Sequence, residues 1–372
     1  MAETSRRYHN LDAMRGLAAL LVATYHFDRT LVPSGYLAVD FFFALSGFVI
    51  AQNYSDRLRH AGGFDGFIGA RIVRLYPLFA AGIVLGFLQM LQLALPGMGY
   101  SVNWPLVGLA LLFGLLMLPS PLTPQLYPLN GVFWSVGAEL FVNLVFGAGL
   151  FKVSRRMLIL ILAGAGLLLV SRVRAPHFVD SGDGWSLIDL TVIRAFFSFV
   201  AGMLLERCHD RGQRRTSILS LSVALSFCLI LVIGPRTGWQ GLYGLVAILI
   251  LFPGIILLGA RWEPPTLLVP PAAFLGDISY AVYATHLPIH RAVDNIARIH
   301  HVSSLSAFGL FITLTLALAY SLTRYWDMPA RGLLSRWLTG RYAAKPAISA
   351  FNPCTKSDGT SFICNPRRPP LT

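Results

Sequence analysis

The chain has 372 residues, of which 55% are hydrophobic and only 13% charged, and its mean hydropathy is +0.63. A soluble fold of this size carries roughly a quarter charged residues, so most of this surface must face lipid, and continuous apolar runs exclude a β-barrel. Thirty Lys and Arg against 17 Asp and Glu give +13, which in a membrane protein reads as orienting charge in cytoplasmic loops rather than nucleic-acid binding.

In chain order, apolar segments occupy approximately 11–31, 35–52, 75–95, 104–119, 132–151, 157–171, 187–205, 218–234, 241–259, 270–290 and 306–326. Each is long enough for a helix, and the predicted fold class is all-α, a polytopic membrane helix bundle. The segment 104–119 is the weakest, short and bounded by Pro105 and Pro119. Read as re-entrant or interfacial, it leaves about ten crossings with both termini cytoplasmic. The inner side then holds 22 Lys and Arg, and the outer side six: Arg29, Arg172, Arg174, Arg236, Arg291 and Arg298. That asymmetry supports ten crossings of a cell inner (cytoplasmic) membrane. The opening MAETSRRYHN shows no small-residue cleavage site, so no removable signal peptide is expected. Residues 1–342 form the expected membrane domain. The Pro/Ser/Thr-rich stretch 343–372 is expected to be a disordered cytoplasmic tail.

Ionisable residues inside the spans point to function, because each is costly in lipid. Arg15 and His26 are eleven residues apart, 20° past three full turns, so both fall on one helix face about 16.5 Å apart along the axis. The second segment carries Asp40 and the pair Ser46-Gly47, which also suits a close-packing notch. Ser135, Glu139 and Asn143 make a polar stripe at i, i+4, i+8, and Tyr283 and His286 lie one turn apart before Pro288. Asp40, Glu139 and the two His are expected at similar depth in the outer half. Before the third span, FDGFIGARIVRLYP interleaves Arg71 and Arg74 with apolar residues, as an amphipathic helix at the interface would. The two guanidiniums suit either positive-inside anchoring or a clamp on a phosphorylated ligand. The four Cys (Cys208, Cys228, Cys354, Cys364) lack metal-ligand spacing, and the two intramembrane His form no HxxxH pair, so no metal is expected.

LDAMRGLAALLVATYHF, VDFFFALSGFVI, RIVRLYP, FWSVGAELF and ISYAVYATHLPI resemble, in order, the motifs of the acyltransferase-3 family of integral membrane O-acyltransferases. The resemblance covers nearly all of residues 10–330. It implies transfer of an acyl group, expected to be acetyl, from acyl-CoA to a hydroxyl of a carbohydrate or glycolipid such as a cell-surface or exported glycan. On that likeness His26 is the catalytic histidine with Arg15 its companion, and Glu139 belongs to the catalytic set. Arg71, Arg74 and Arg15 contact the coenzyme A phosphates, while Asp40, Ser46, Ser135, Tyr283 and His286 support or bind substrate. Asp40 or Glu139 is the expected partner orienting the His26 imidazole. The partners implied are acyl-CoA, the acceptor and the bilayer, without nucleic acid. The main rival is a proton-coupled secondary transporter, which buried Asp, Glu, His and Arg would also serve. A flippase or assembly scaffold is the second.

Overall fold

The computed structural model describes residues 7–60, 62–95, 100–172, 182–209, 215–235 and 238–343. Each of the eleven apolar segments folds as a helix. These are α1 (His9–Phe27), α2 (Ala38–Tyr54), α3 (Gly63–Leu93), α4 (Trp104–Leu115), α5 (Trp134–Ala148), α6 (Arg155–Arg172), α7 (Ile188–Cys208), α8 (Leu219–Val232), α9 (Gln240–Arg261), α10 (Val269–Ile299) and α11. The last comprises Ser304–Ser321, a π-helical turn Leu322–Asp327 and Met328–Ala343. Among the described residues the one sheet is a two-residue parallel pairing of Arg215–Thr216 with Trp262–Glu263. The protein is thus an all-α, multi-pass membrane bundle. The expected tail from 344 onward lies outside the described residues.

Seven of these helices are long and apolar enough to cross a membrane on length and composition alone. The other four miss for identifiable reasons. α1 carries Asp12 and Arg15, and α6 opens on Arg155-Arg156 and closes on Arg172. α4 and α8 have 12 and 14 residues, rising about 18 and 21 Å against a hydrocarbon core of ~30 Å.

Helix contacts fix the directions. α1 and α10 run parallel, since Arg15 meets Gly276 near one end and His26 meets His286 near the other. α2 returns, with Gln52 at Tyr8 and Gly35 against Tyr25. α3 runs with α10, Leu75 meeting Tyr280 and Gly82 meeting Ala284. α5 opposes α3, pairing Phe146 with Phe67 and Phe133 with Gly82. α6 opposes α7, with Arg207 at Phe151 and Arg172 at Asp189. α8 ends where Ser34 meets Leu231, and α9 returns to the strand at Trp262. α11 opposes α10 and α3, through Tyr320 at Phe274 and Leu338 at Gly69. Helices therefore alternate throughout, except that the chain from Leu93 to Gly131 leaves and re-enters on one side. α4 is that excursion, Gly114 packing on Ile83 and Tyr127 donating to the Met117 carbonyl. Lys152, Arg155, Arg207, Arg215 and Arg261 all fall at the end of the bundle where α1 begins.

Small residues allow the closest approaches. A Cβ on Gly47 or Gly202 would collide with the Phe199 and Ala44 carbonyls, so α2 and α7 touch backbone to backbone. Gly16 lies against the Leu275 backbone and Gly276 against the Asp12 side chain, which brings α1 and α10 together. These two seams hold the helices that carry the site.

Candidate active site

A partly open cavity of about 140 Å³ enters the bundle between α1, α2, α3, α5 and α10. Phe42, Phe43 and Val49 give it an apolar wall on α2, facing Arg15, Arg71, Arg74, Ser135, Glu139 and Tyr283.

Arg71 corrects the sequence expectation. Gly63–Leu93 is one continuous helix through Pro77, not an interfacial helix followed by a span. Phe67, Arg71, Leu75 and Leu78 share its buried face at i, i+4, i+8 and i+11, and this spacing carries Arg71 into the bundle. There its Nη2 donates to Glu139 Oε1 at 2.7 Å, and Ser46 Oγ donates to the same oxygen at 2.8 Å. Arg74, three residues on, is exposed at the mouth and has no hydrogen bond or ion pair among the described residues. The two arginines of the motif therefore occupy different environments.

Arg15 joins the cavity wall but is also a fastener. It donates to Ser279 Oγ at 3.0 Å and the Gly276 carbonyl at 2.8 Å, and pairs with Asp12 at 3.0 Å. Arg7 bonds Asp12 as well and reaches Asp277 at 2.7 Å. The face shared by Arg15 and His26 is the face α1 lays against α10.

His26 and His286 meet at the other end of that seam. His26 Nδ1 is 2.9 Å from the Val22 carbonyl and 3.3 Å from His286 Nε2, while His286 Nδ1 is 3.2 Å from the Val282 carbonyl. Carbonyls only accept, so in the neutral rings each Nδ1 carries the proton. The one His26 Nδ1 proton is then shared between the Val22 carbonyl and, at longer range, His286 Nε2, and His26 Nε2 is the unprotonated nitrogen. His286 is completely buried and His26 only partly. No third His, Cys, Asp or Glu completes a metal set around them among the described residues.

Tyr283 links the two ends. Its hydroxyl lies 2.7 Å from Ser135 Oγ and 3.0 Å from the Val132 carbonyl. Its ring packs 5.7 Å from the His286 ring on one side and against Phe42 on the other. Ser135 and Glu139 thus face the cavity as their spacing predicts, whereas Asn143 is buried with no partner in the structure.

Asp40 stands apart. It is locked to Arg194 of α7 in a pair only 1% and 2% exposed, with Arg194 Nε 3.1 Å from Oδ1. Neither Asp40 nor Glu139 contacts an imidazole; the Val22 carbonyl and His286 orient His26 instead. Arg194 lies inside the 187–205 segment, but its pairing with Asp40 could not be read from sequence, because it requires knowing which helices are neighbours. Asn130 was not legible at all: it is buried in a turn and donates to the Ala284 carbonyl at 2.8 Å.

The comparisons with known proteins decide the class of this bundle. Residues 8–324 match the acyltransferase domain of the acyltransferase-3 family, and the chain belongs to that family. It is an acyltransferase. A protein described as "Protein 2 in picA locus" of Rhizobium radiobacter is 35% identical over 189 residues, covering 46% of this chain and 96% of that protein. A "Putative acetyltransferase ORF330" of Acidianus two-tailed virus is 26% identical over 312 residues, covering 74% of this chain and 81% of that protein. No solved structure matches.

Proposed function

We propose that the chain is an O-acyltransferase that moves an acyl group, expected to be acetyl, from a coenzyme A thioester to a hydroxyl of a carbohydrate or glycolipid. The observation that carries this reading is the His26–His286 contact one residue layer beyond Tyr283 of the cavity wall, with His26 Nε2 lacking a hydrogen-bond partner among the described residues. The donor enters at the end of the bundle where α1 begins, and the basic loops at that end support reading it as cytoplasmic. Its phosphates stay near Arg74 while its flexible arm follows the α2 wall toward Tyr283 and the His pair. The acceptor approaches from the opposite side.

His26 Nε2 takes the proton of the acceptor hydroxyl as its oxygen attacks the thioester carbonyl. The C–S bond then breaks, and the departing thiolate recovers that proton from the imidazolium. His286 accepts from His26 Nδ1 throughout, so the ring keeps the tautomer that presents Nε2. The Ser135–Tyr283 hydroxyl pair lies where the cavity approaches the rings and can donate to polar atoms of the donor arm. The Arg71–Glu139–Ser46 network holds α2, α3 and α5 in register around that arm.

The discriminating experiment is coenzyme A release from acetyl-CoA by purified protein in detergent, with and without a panel of glycans. Release that depends on His26 and rises with an acceptor supports the enzyme reading. Proton-coupled solute uptake in vesicles without thioester cleavage would instead establish the transporter.

A further inference from the structure

Arg74 is an unusual charge to leave at a half-dry mouth. It repels three other guanidiniums, those of Arg15, Arg71 and Arg331. Arg15 and Arg71 have carboxylate partners inside the bundle. Arg331 comes from α11, beyond residue 324 where the family match ends.

Two contacts locate it. Trp326 Nε1 donates to the Pro77 carbonyl at 2.8 Å, and Leu338 packs on Gly69. Because α11 and α3 are antiparallel, a residue between 326 and 338 lies opposite one between 77 and 69. Proportion places Arg331 level with Arg74. The π-helical turn Leu322–Asp327, a feature common at functional sites, ends immediately before it. That turn buries Asp327 to 1% exposure, and Asp327 Oδ1 accepts from Arg331 Nε at 2.8 Å while Oδ2 pairs with Nη2. A buried carboxylate thus fixes one edge of the guanidinium and leaves Nη1 to donate elsewhere. Tyr280, a cavity-wall residue that donates to the Leu75 carbonyl at 3.0 Å, lies within electrostatic range of Asp327, Arg331 and Arg74 together.

We infer that Arg331, positioned by Asp327, is the second arm of a two-arginine phosphate site whose first arm is Arg74. Arg71 is set back from the mouth, 7% exposed and paired through Nη2 with Glu139. Phosphate oxygens between two forks convert their mutual repulsion into charge-assisted hydrogen bonds. The inference rests on reading the cavity as a donor site. The same phosphate chemistry is available from a coenzyme A nucleotide or from an anionic lipid headgroup at the inner surface.

The test uses the full-length protein and adenosine 3′,5′-bisphosphate, which carries the phosphates without a thioester. Arg331→Gln and Arg74→Gln should each weaken its binding about tenfold by calorimetry, as loss of a charged hydrogen bond does. The double variant should lose less than the product, since both arms hold one ligand. Arg331→Lys, which keeps the charge but not the fork to Asp327, should fall between. Arg261→Gln controls for general charge on that side. A second arm compares thermal stability in nanodiscs of phosphatidylcholine with and without phosphatidylglycerol. An Arg331→Gln defect confined to phosphatidylglycerol discs would assign the phosphate to lipid. Unchanged bisphosphate affinity together with unchanged lipid response would overturn the inference. Intact binding without any His26-dependent coenzyme A release would instead defeat the proposed reaction and leave the phosphate site standing.

Discussion

The two ends of the site are built from opposite materials. At the end where α1 begins, Arg7, Arg15 and Arg71 are matched by Asp12, Asp277 and Glu139, while Arg74 has no ion pair among the described residues. At the other end two neutral rings meet nitrogen to nitrogen, backed by main-chain carbonyls. The difference follows from the tasks. Gripping a polyanion needs fixed charge, and fixed charge below a bilayer surface persists only when most of it is paired. A proton-abstracting group needs an available lone pair, which a neutral imidazole offers without the desolvation cost of an ion. His286 as the neighbour, where a carboxylate would be the familiar choice, orients the base without adding charge to the apolar part of the bundle.

The comparison breaks most sharply at His26. His26→Ala should lower turnover by about 10²–10⁴, with membrane insertion and bisphosphate binding intact. Retention of more than a tenth of wild-type coenzyme A release would remove His26 from the role of base. Glu139→Gln comes next and should act on stability more than on chemistry. It leaves the Arg71 guanidinium buried without its counter-charge, a change that costs about 3–5 kcal/mol. A lower unfolding temperature in detergent, partly restored by adding Arg71→Met, is the expected signature. An unchanged unfolding temperature would mean that the pair is solvated rather than buried. His286→Ala should cost about ten- to a hundredfold in kcat with little change in donor KM, and Asn, which can still accept from His26 Nδ1, should retain more activity. Equal loss in both variants would deny the tautomer role.

Much of this was legible in the sequence, and what was not has a common cause. Periodicity and length place all eleven helices, and Arg15 and His26 on one face follows from eleven steps of 100°. Ser135 and Glu139 on the cavity side follow from the i, i+4 stripe. Neighbour relations between distant helices are where the pattern runs out. Similar depth on separate spans suggested that Asp40, Glu139, His26 and His286 converge. The common depth fails for Glu139, which bonds Arg71 near the level of Arg15 rather than of the His pair, and depth says nothing of position around the axis, where Asp40 faces α7. Arg71 failed differently: a polar residue in an amphipathic pattern is assigned to the wet face, and only the continuity of α3 through Pro77 turns it inward. Arg331 gave no signal, since it lies in a basic stretch that also serves to anchor a terminus.

The smallest expected effect is also the most discriminating, because the spacing alone treats Arg71 and Arg74 as equals. A two-arginine motif clamping one phosphate predicts the same loss of donor affinity for Lys at either position, since Lys keeps charge and loses the planar fork. The structure makes them unequal. Arg74 faces the open mouth with no hydrogen bond or ion pair among the described residues, so Arg74→Lys should raise the donor KM by about three- to tenfold, a fraction of a charged hydrogen bond, and leave the unfolding temperature where it was. Arg71 commits one amine to Glu139, and its Nε is buried without a hydrogen-bond partner among the described residues. Arg71→Lys should therefore hold donor KM near wild type and lower the unfolding temperature instead, because the shorter reach of the ammonium weakens the bond shared with Ser46. Matching KM increases at both positions with unchanged stability would show that donor binding pulls Arg71 away from Glu139. The inner network would then be a site in waiting rather than a brace.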